Sequence, residues 1–118
     1  MSRPSRYSLA RFFQRRPVDA ASRREPQPAD ARRETEAHLR DFVMTRVGVE
    51  AYVEPPNAQI STTLLLIAST GEWTRRRVPD ERSAYDLGAA LGVPVYNVRF
   101  TGYPQRMRDW TSAQRKKG

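Results

Sequence analysis

Cysteine is absent from this chain, which excludes a disulfide scaffold, thiolate zinc sites and thiol nucleophiles. Its absence suits a reducing compartment, and the expected location is cytoplasmic. Histidine occurs once, at His38, too few for an imidazole metal site. No nucleophile or carboxylate is marked out as its partner by spacing, so it carries no catalytic assignment. Glycine is sparse and scattered, with six residues in 118, so no phosphate-cradling loop and no G-x-S-x-G elbow can be drawn. Long apolar runs are missing too. The longest, Leu64 to Ala68, is far short of the roughly 20 residues that span a bilayer. The expectation is a non-catalytic protein with no metal, cofactor or transmembrane segment.

What is present is positive charge, placed mainly at the ends. The formal net charge is +8. Residues 1–33 carry net +6, residues 34–98 carry −3 and residues 99–118 carry +5. A polyanionic partner would therefore meet the termini before the centre. Residues 1–30 hold four of the nine prolines and little apolar material, the composition of a disordered basic tail. Within it, "YSLARFFQRR" places Leu9, Phe12 and Phe13 on one face of any helix it forms, with Tyr7 at its start. Such a segment suits docking on a protein partner or an anionic surface. It also has the composition of an organellar transit peptide.

The spacing predicts a single α+β domain over residues 31–112, in the order α-β-β-β-α-β-α, with residues 113–118 a frayed basic end. The first helix runs from Asp30 or Ala31, with Asp30 as N-cap, to Val47, and its apolar stripe is Leu39, Phe42, Val43, Met44 and Val47. Ala51 to Val53 reads as a short strand. Ile60 to Ala68 reads as the central strand, apolar on both faces. Gly71 marks a turn into a returning strand, Trp73 to Val78. A second helix starts at Asp80, and Gly92 stops it. A fourth strand covers Val93 to Phe100. The last segment, "YPQRMRDWTSAQRKK", can pack back through Met107 and Trp110. The expected architecture is a mixed sheet with helices on one face and the other face open.

Trp73, Thr74, Arg75, Arg76 and Arg77 raise the functional question. Strand alternation puts Arg75 and Arg77 on the face of Trp73, and Arg76 on the opposite one. Burying one charge costs less than burying two, so the Arg76 face is taken as the covered one. Arg76 then needs a structural ion pair, with Glu50, Glu54 or Asp86 as partner. Trp73, Arg75 and Arg77 lie on the open face, where an indole stacks a base and guanidiniums hold phosphates. Arg99, Arg106, Arg108 and Trp110 repeat the mixture. The leading expectation is an accessory protein that binds RNA, DNA or a ribonucleoprotein through these seven residues. An alternative is a protein-interaction subunit that docks through its N-terminal tail.

Two family orders are shared by these elements. The first five follow the α-β-β-β-α order of double-stranded RNA-binding domains, but the second helix opens with Asp80-Glu81-Arg82 where that family has lysines. Adding "GVPVYNVRF" gives the order of restriction-endonuclease-like nucleases. That resemblance implies a catalytically degenerate domain, because Ala68-Ser69-Thr70 stands where a Glu-x-Lys is expected. In "GEWTRRRVP" and "GYPQRMRDW" the chain also resembles a set of small uncharacterised actinobacterial proteins, a resemblance that implies no activity.

Overall fold

A computed structural model describes residues 28–117. Its elements are α1 (Ala29–Thr45), β1 (Glu50–Glu54), β2 (Thr63–Ile67), β3 (Trp73–Arg77), α2 (Glu81–Ala90), β4 (Val95–Asn97), the single turn α3 (Val98–Thr101) and α4 (Gln105–Lys117). The class is α+β, built on one mixed sheet in the order β3-β2-β1-β4. β2 is antiparallel to both of its neighbours, and β4 is parallel to β1.

The sequence of β2, Thr-Leu-Leu-Leu-Ile, is buried at every position. A strand with no polar alternation needs cover on both faces, and this one has it. Leu64 and Leu66, with Ala51 and Val53 of β1, pack against Leu39 and Phe42 of α1 and Ala84 of α2. Leu65 and Ile67, with Tyr52 of β1, face the other way and meet Trp73, Val98 and Met107. α2 sits close on the first face because residue 88 is glycine. A Cβ there would lie 2.6 Å from Val95 Cγ2. Asp80 caps α2, its side chain accepting from Ser83 N–H at 2.8 Å.

The expected one-sided cover is corrected. α1 and α2 lie on one face, but α4 lies on the other, so the sheet has no open face on which Trp73 stands clear. The reason is visible in β2 itself, whose Leu65 and Ile67 are as fully buried as Leu64 and Leu66. Boundaries also differ. α1 begins at Ala29 with Pro28 in the N-cap position, so Asp30 lies in the first turn. The fourth strand stops at Asn97, whose side chain accepts from Arg99 N–H and starts α3. α4 continues helical to Lys117, past the expected fraying point. Most of the expected tail, residues 1–27, lies outside the described residues, including Tyr7, Leu9, Phe12 and Phe13. No helix of the described residues is long and apolar enough to cross a membrane.

Gly71 is where α4 meets the sheet. Its φ is +95°, and a Cβ there would fall 2.1 Å from the Arg106 carbonyl oxygen and 2.9 Å from Trp110 Cβ. Gly71→Ala therefore combines left-handed strain with overlap on the α4 backbone. The expected cost is about 2 kcal/mol or more in urea unfolding. Tryptophan emission should shift to the red as α4, carrying Trp110, lifts from the sheet and uncovers Trp73.

Candidate functional site

α4 is a strongly polar helix with no fully buried residue. It is held to the sheet less by apolar burial than by two carboxylates of β1. Glu54 is nearly buried, at 9 % exposure. Its Oε1 accepts from Thr63 Oγ1 at 2.6 Å and from Arg75 Nε at 2.7 Å. Its Oε2 accepts from Arg75 Nη2 at 2.8 Å and from the Tyr103 hydroxyl at 2.6 Å. Four donors from β2, β3 and the segment leading into α4 thus converge on one carboxylate. The second carboxylate, Glu50, accepts from Arg106 Nη2 at 2.8 Å and from the Tyr52 hydroxyl at 2.9 Å. Arg106 Nε also donates to the Ala68 carbonyl at 3.0 Å.

Titration follows from these contacts. Burial pushes the Glu54 carboxyl up, but the hydrogen bonds from Arg75, Thr63 and Tyr103 outweigh it and hold it below its usual range. The Arg106 hydrogen bond holds Glu50 low against desolvation. Burial and the neighbouring Glu54 push the Tyr103 phenol up to about 12, so it remains a donor at neutral pH.

Several residues expected to meet a ligand are occupied within the protein. The Trp73 indole N–H donates to Thr111 Oγ1 at 3.0 Å, beneath α4. The Arg75 guanidinium lies 5.0 Å from the Trp73 ring centroid and is already paired with Glu54. Arg106 is consumed by Glu50 and Ala68. Trp110 is half-buried beside the Gly71 turn. Arg77 is exposed at the end of β3. Arg99 is exposed, 3.9 Å from Glu81. Arg108 is exposed and donates to the Gln105 side chain and the Tyr103 carbonyl.

The expected ion pair of Arg76 is also corrected. Arg76 does lie on the α1 side of the sheet, opposite Leu64 of β2. However, β3 is an edge strand, so the long side chain reaches solvent rather than being trapped in the core. Its Nη2 meets His38 Nδ1 at 3.2 Å and its Nη1 donates to the Arg75 carbonyl, with no carboxylate in the contact. Because a guanidinium can only donate, Nδ1 accepts, and the ring proton sits on Nε2, which donates to Thr74 Oγ1 at 2.6 Å. Burial and the Arg76 charge lower the His38 pKa.

Two concave regions stand out among the described residues. A cleft of about 320 Å³ between α1 and α2 has Arg32 and Arg40 opposed by Glu36 and Asp86, so its charge is internally balanced. A groove of about 440 Å³ on the α4 side is different. Its walls are Tyr103, Met107, Thr111 and Ser112, with Arg75, Arg108 and Arg115 around them and no acid among the lining residues. Sequence reasoning found Arg75 and Arg108 of this set but missed Tyr103 and Arg115. The Tyr103 role depends on Glu54, 49 positions away, and no local pattern joins the two. No group of three His, Cys, Asp or Glu residues able to hold a metal ion occurs among the described residues.

Native pKa values that are lowered for Glu50, Glu54, Glu72 and His38 all act in one direction. Each contributes stability that is present above its unfolded pKa and lost as pH falls through its folded pKa. The urea midpoint should hold from pH 8 to 7, soften below roughly pH 6.5 as His38 charges, and fall further below about pH 4.3. Glu54→Ala should cost about 2–3 kcal/mol at pH 7, since it strands a half-exposed arginine rather than a fully buried one. The same variant should reduce the acid-dependent loss, which urea titrations at pH 3 and 7 would measure. No protein-family model, curated protein or solved structure matches this chain.

Proposed function

We propose that this chain is a non-catalytic nucleic-acid-binding module whose contact surface is the groove along α4, not the face of β3. The observation that carries the reading is the composition of that groove, an apolar and aromatic wall with Arg108 and Arg115 on its rim and no acid among its lining residues, Arg75 being balanced by Glu54 behind it. A ligand that suits it has a flat apolar body and several negative charges, as a nucleotide chain does. α4 continues the same sign. Arg115, Lys116 and Lys117 fill its last turn, and the helix holds a single acid, Asp109.

The residues divide by role. Arg75 is oriented and balanced by Glu54, so it frames the groove and supplies little free charge. Arg108 is steadied by Gln105, and Arg115 is exposed, so both are placed to donate to phosphate oxygens. Tyr103 offers its ring while its hydroxyl stays bound to Glu54. Trp73 and Arg106, occupied beneath α4, build the platform and do not contact the ligand.

Binding of this kind weakens with salt, because each neutralised phosphate releases counterions. For contacts from Arg108, Arg115, Lys116 and Lys117 to a single strand, log K should fall with log salt at a slope of about −3. Arg108→Glu with Arg115→Glu should weaken binding roughly tenfold or more at low salt and flatten that slope. Fluorescence anisotropy with labelled RNA and DNA over a salt series checks both. Absence of binding at low ionic strength, or affinity indifferent to salt, would refute the reading.

A further inference from the structure

The chain that leads into Tyr103 of the groove carries a second feature that the fold does not use. Phe100 is 78 % exposed, the most exposed aromatic side chain among the described residues that the core leaves out. Tyr96 and Tyr103 are 37 % and 40 % exposed. These three rings fall within eight residues of chain, with the exposed Arg99 among them. A large apolar ring in water on a mobile loop would mean little. Phe100 is instead on a held turn. Asn97 is buried and its Oδ1 caps α3 at Arg99 N–H, while its Nδ2 donates to the Tyr85 hydroxyl at 3.0 Å. Thr101 Oγ1 donates to the Gly102 carbonyl at 2.8 Å, and Gly102, at φ +67°, turns the chain into Tyr103. Tyr96 is held as well, its ring centroid 5.4 Å from that of Tyr52.

Tyr103 belongs to both features, lining the α4 groove and closing the aromatic run. We propose that Tyr103, Phe100 and Tyr96 extend the groove into a stacking track for successive bases of a single-stranded nucleic acid. This rests on the preceding reading of the α4 groove and adds the class of ligand, a polymer with unpaired bases. Charge favours that occupant over an apolar protein surface. Arg99, 3.9 Å from Glu81, neighbours Phe100; Arg108 and Arg115 line the groove with Tyr103; and the Glu54 carboxylate behind Tyr103 is balanced by Arg75. A duplex presents no exposed ring faces along its length, so it would gain from the arginines and not from the rings.

The test uses the full chain with labelled RNA and DNA strands of about twelve nucleotides, each offered single-stranded and as a duplex at low salt. Phe100→Ala should weaken single-strand binding roughly 5- to 100-fold and leave duplex binding and the salt slope unchanged. Phe100→Tyr should restore it. Because Phe100 is exposed, the thermal midpoint should not move, and a melt of each variant checks this. The track is overturned if Phe100→Ala binds single strands as the wild type does. It is also overturned if duplex binds as tightly as single strand, or if Phe100→Leu is as good as Phe100→Tyr, which would mark a general apolar contact. In those cases a loss on Arg108→Glu with Arg115→Glu still upholds the groove. If wild-type protein binds none of the four probes, the groove and the track fall together. A preference for RNA over DNA under the supporting pattern identifies the 2′-hydroxyl as a further contact.

Discussion

The Glu54 carboxylate is the constraint on which the second half of the molecule depends. It receives Thr63 from β2, Arg75 from β3 and Tyr103 from the segment before α4. A carboxylate this buried is costly unless both oxygens are fully used, and here four donors use them. The arrangement ties three separate parts of the chain to one point. Arginine rather than lysine suits the position, because its planar fork gives two parallel bonds to the two oxygens. Those bonds also fix the guanidinium plane beside the Trp73 ring.

α4 explains why a polar clasp is needed at all. The helix brings Met107 and the half-buried Trp110 to the sheet, but little else that is apolar. Apolar burial alone would leave its rotation and its register along the sheet weakly specified. Arg106 corrects this at one end, bonded to Glu50 and to the Ala68 carbonyl, and Tyr103 does so just before the helix starts. Gly71 gives the close approach that lets the backbone of α4 rest against the β2–β3 turn. A comparable pair on the opposite side joins Arg46, at the end of α1, to Glu72 in the same turn at 2.7 Å. The β2–β3 turn is thus gripped from both faces of the sheet.

Most of the secondary structure was legible because its signals are local. The apolar run in β2, the glycine at residue 71, the Asp80 start of α2 and the Gly92 stop all act within a few residues of themselves. The alternation of Arg75 and Arg77 against Arg76 was legible for the same reason. What could not be read was pairing at a distance. Position 54 chooses 75 and 103, and position 50 chooses 106, through a tertiary geometry that leaves no periodic trace. Several of the residues that look like a nucleic-acid surface, Trp73, Arg75, Arg106 and Trp110, are drawn inward by those pairings. The one apolar clue to the second covered face was present in the sequence. A strand reading Leu-Leu-Leu-Ile has to be buried on both sides, and the Arg-rich helix was the remaining element able to cover it.

The clasp also decides what α4 shows to solvent. A helix seated only by apolar contacts can roll by a fraction of a turn without much loss, and its charged side chains roll with it. With Arg106 bonded inward, positions 108 and 115 are carried to the outer side, next to the rim formed by Arg75. The partly buried ion pairs therefore contribute most through specificity of placement, since apolar substitutes of similar size can match an ion pair in stability. In this molecule the inward arginines orient the outward ones. The charged outer surface and the structural clasp are two sides of the same segment, and "GYPQRMRDW" encodes both, with Arg106 and Met107 turned to the sheet, Arg108 and Asp109 to water, and Tyr103 holding Glu54 by its hydroxyl while its ring stays exposed.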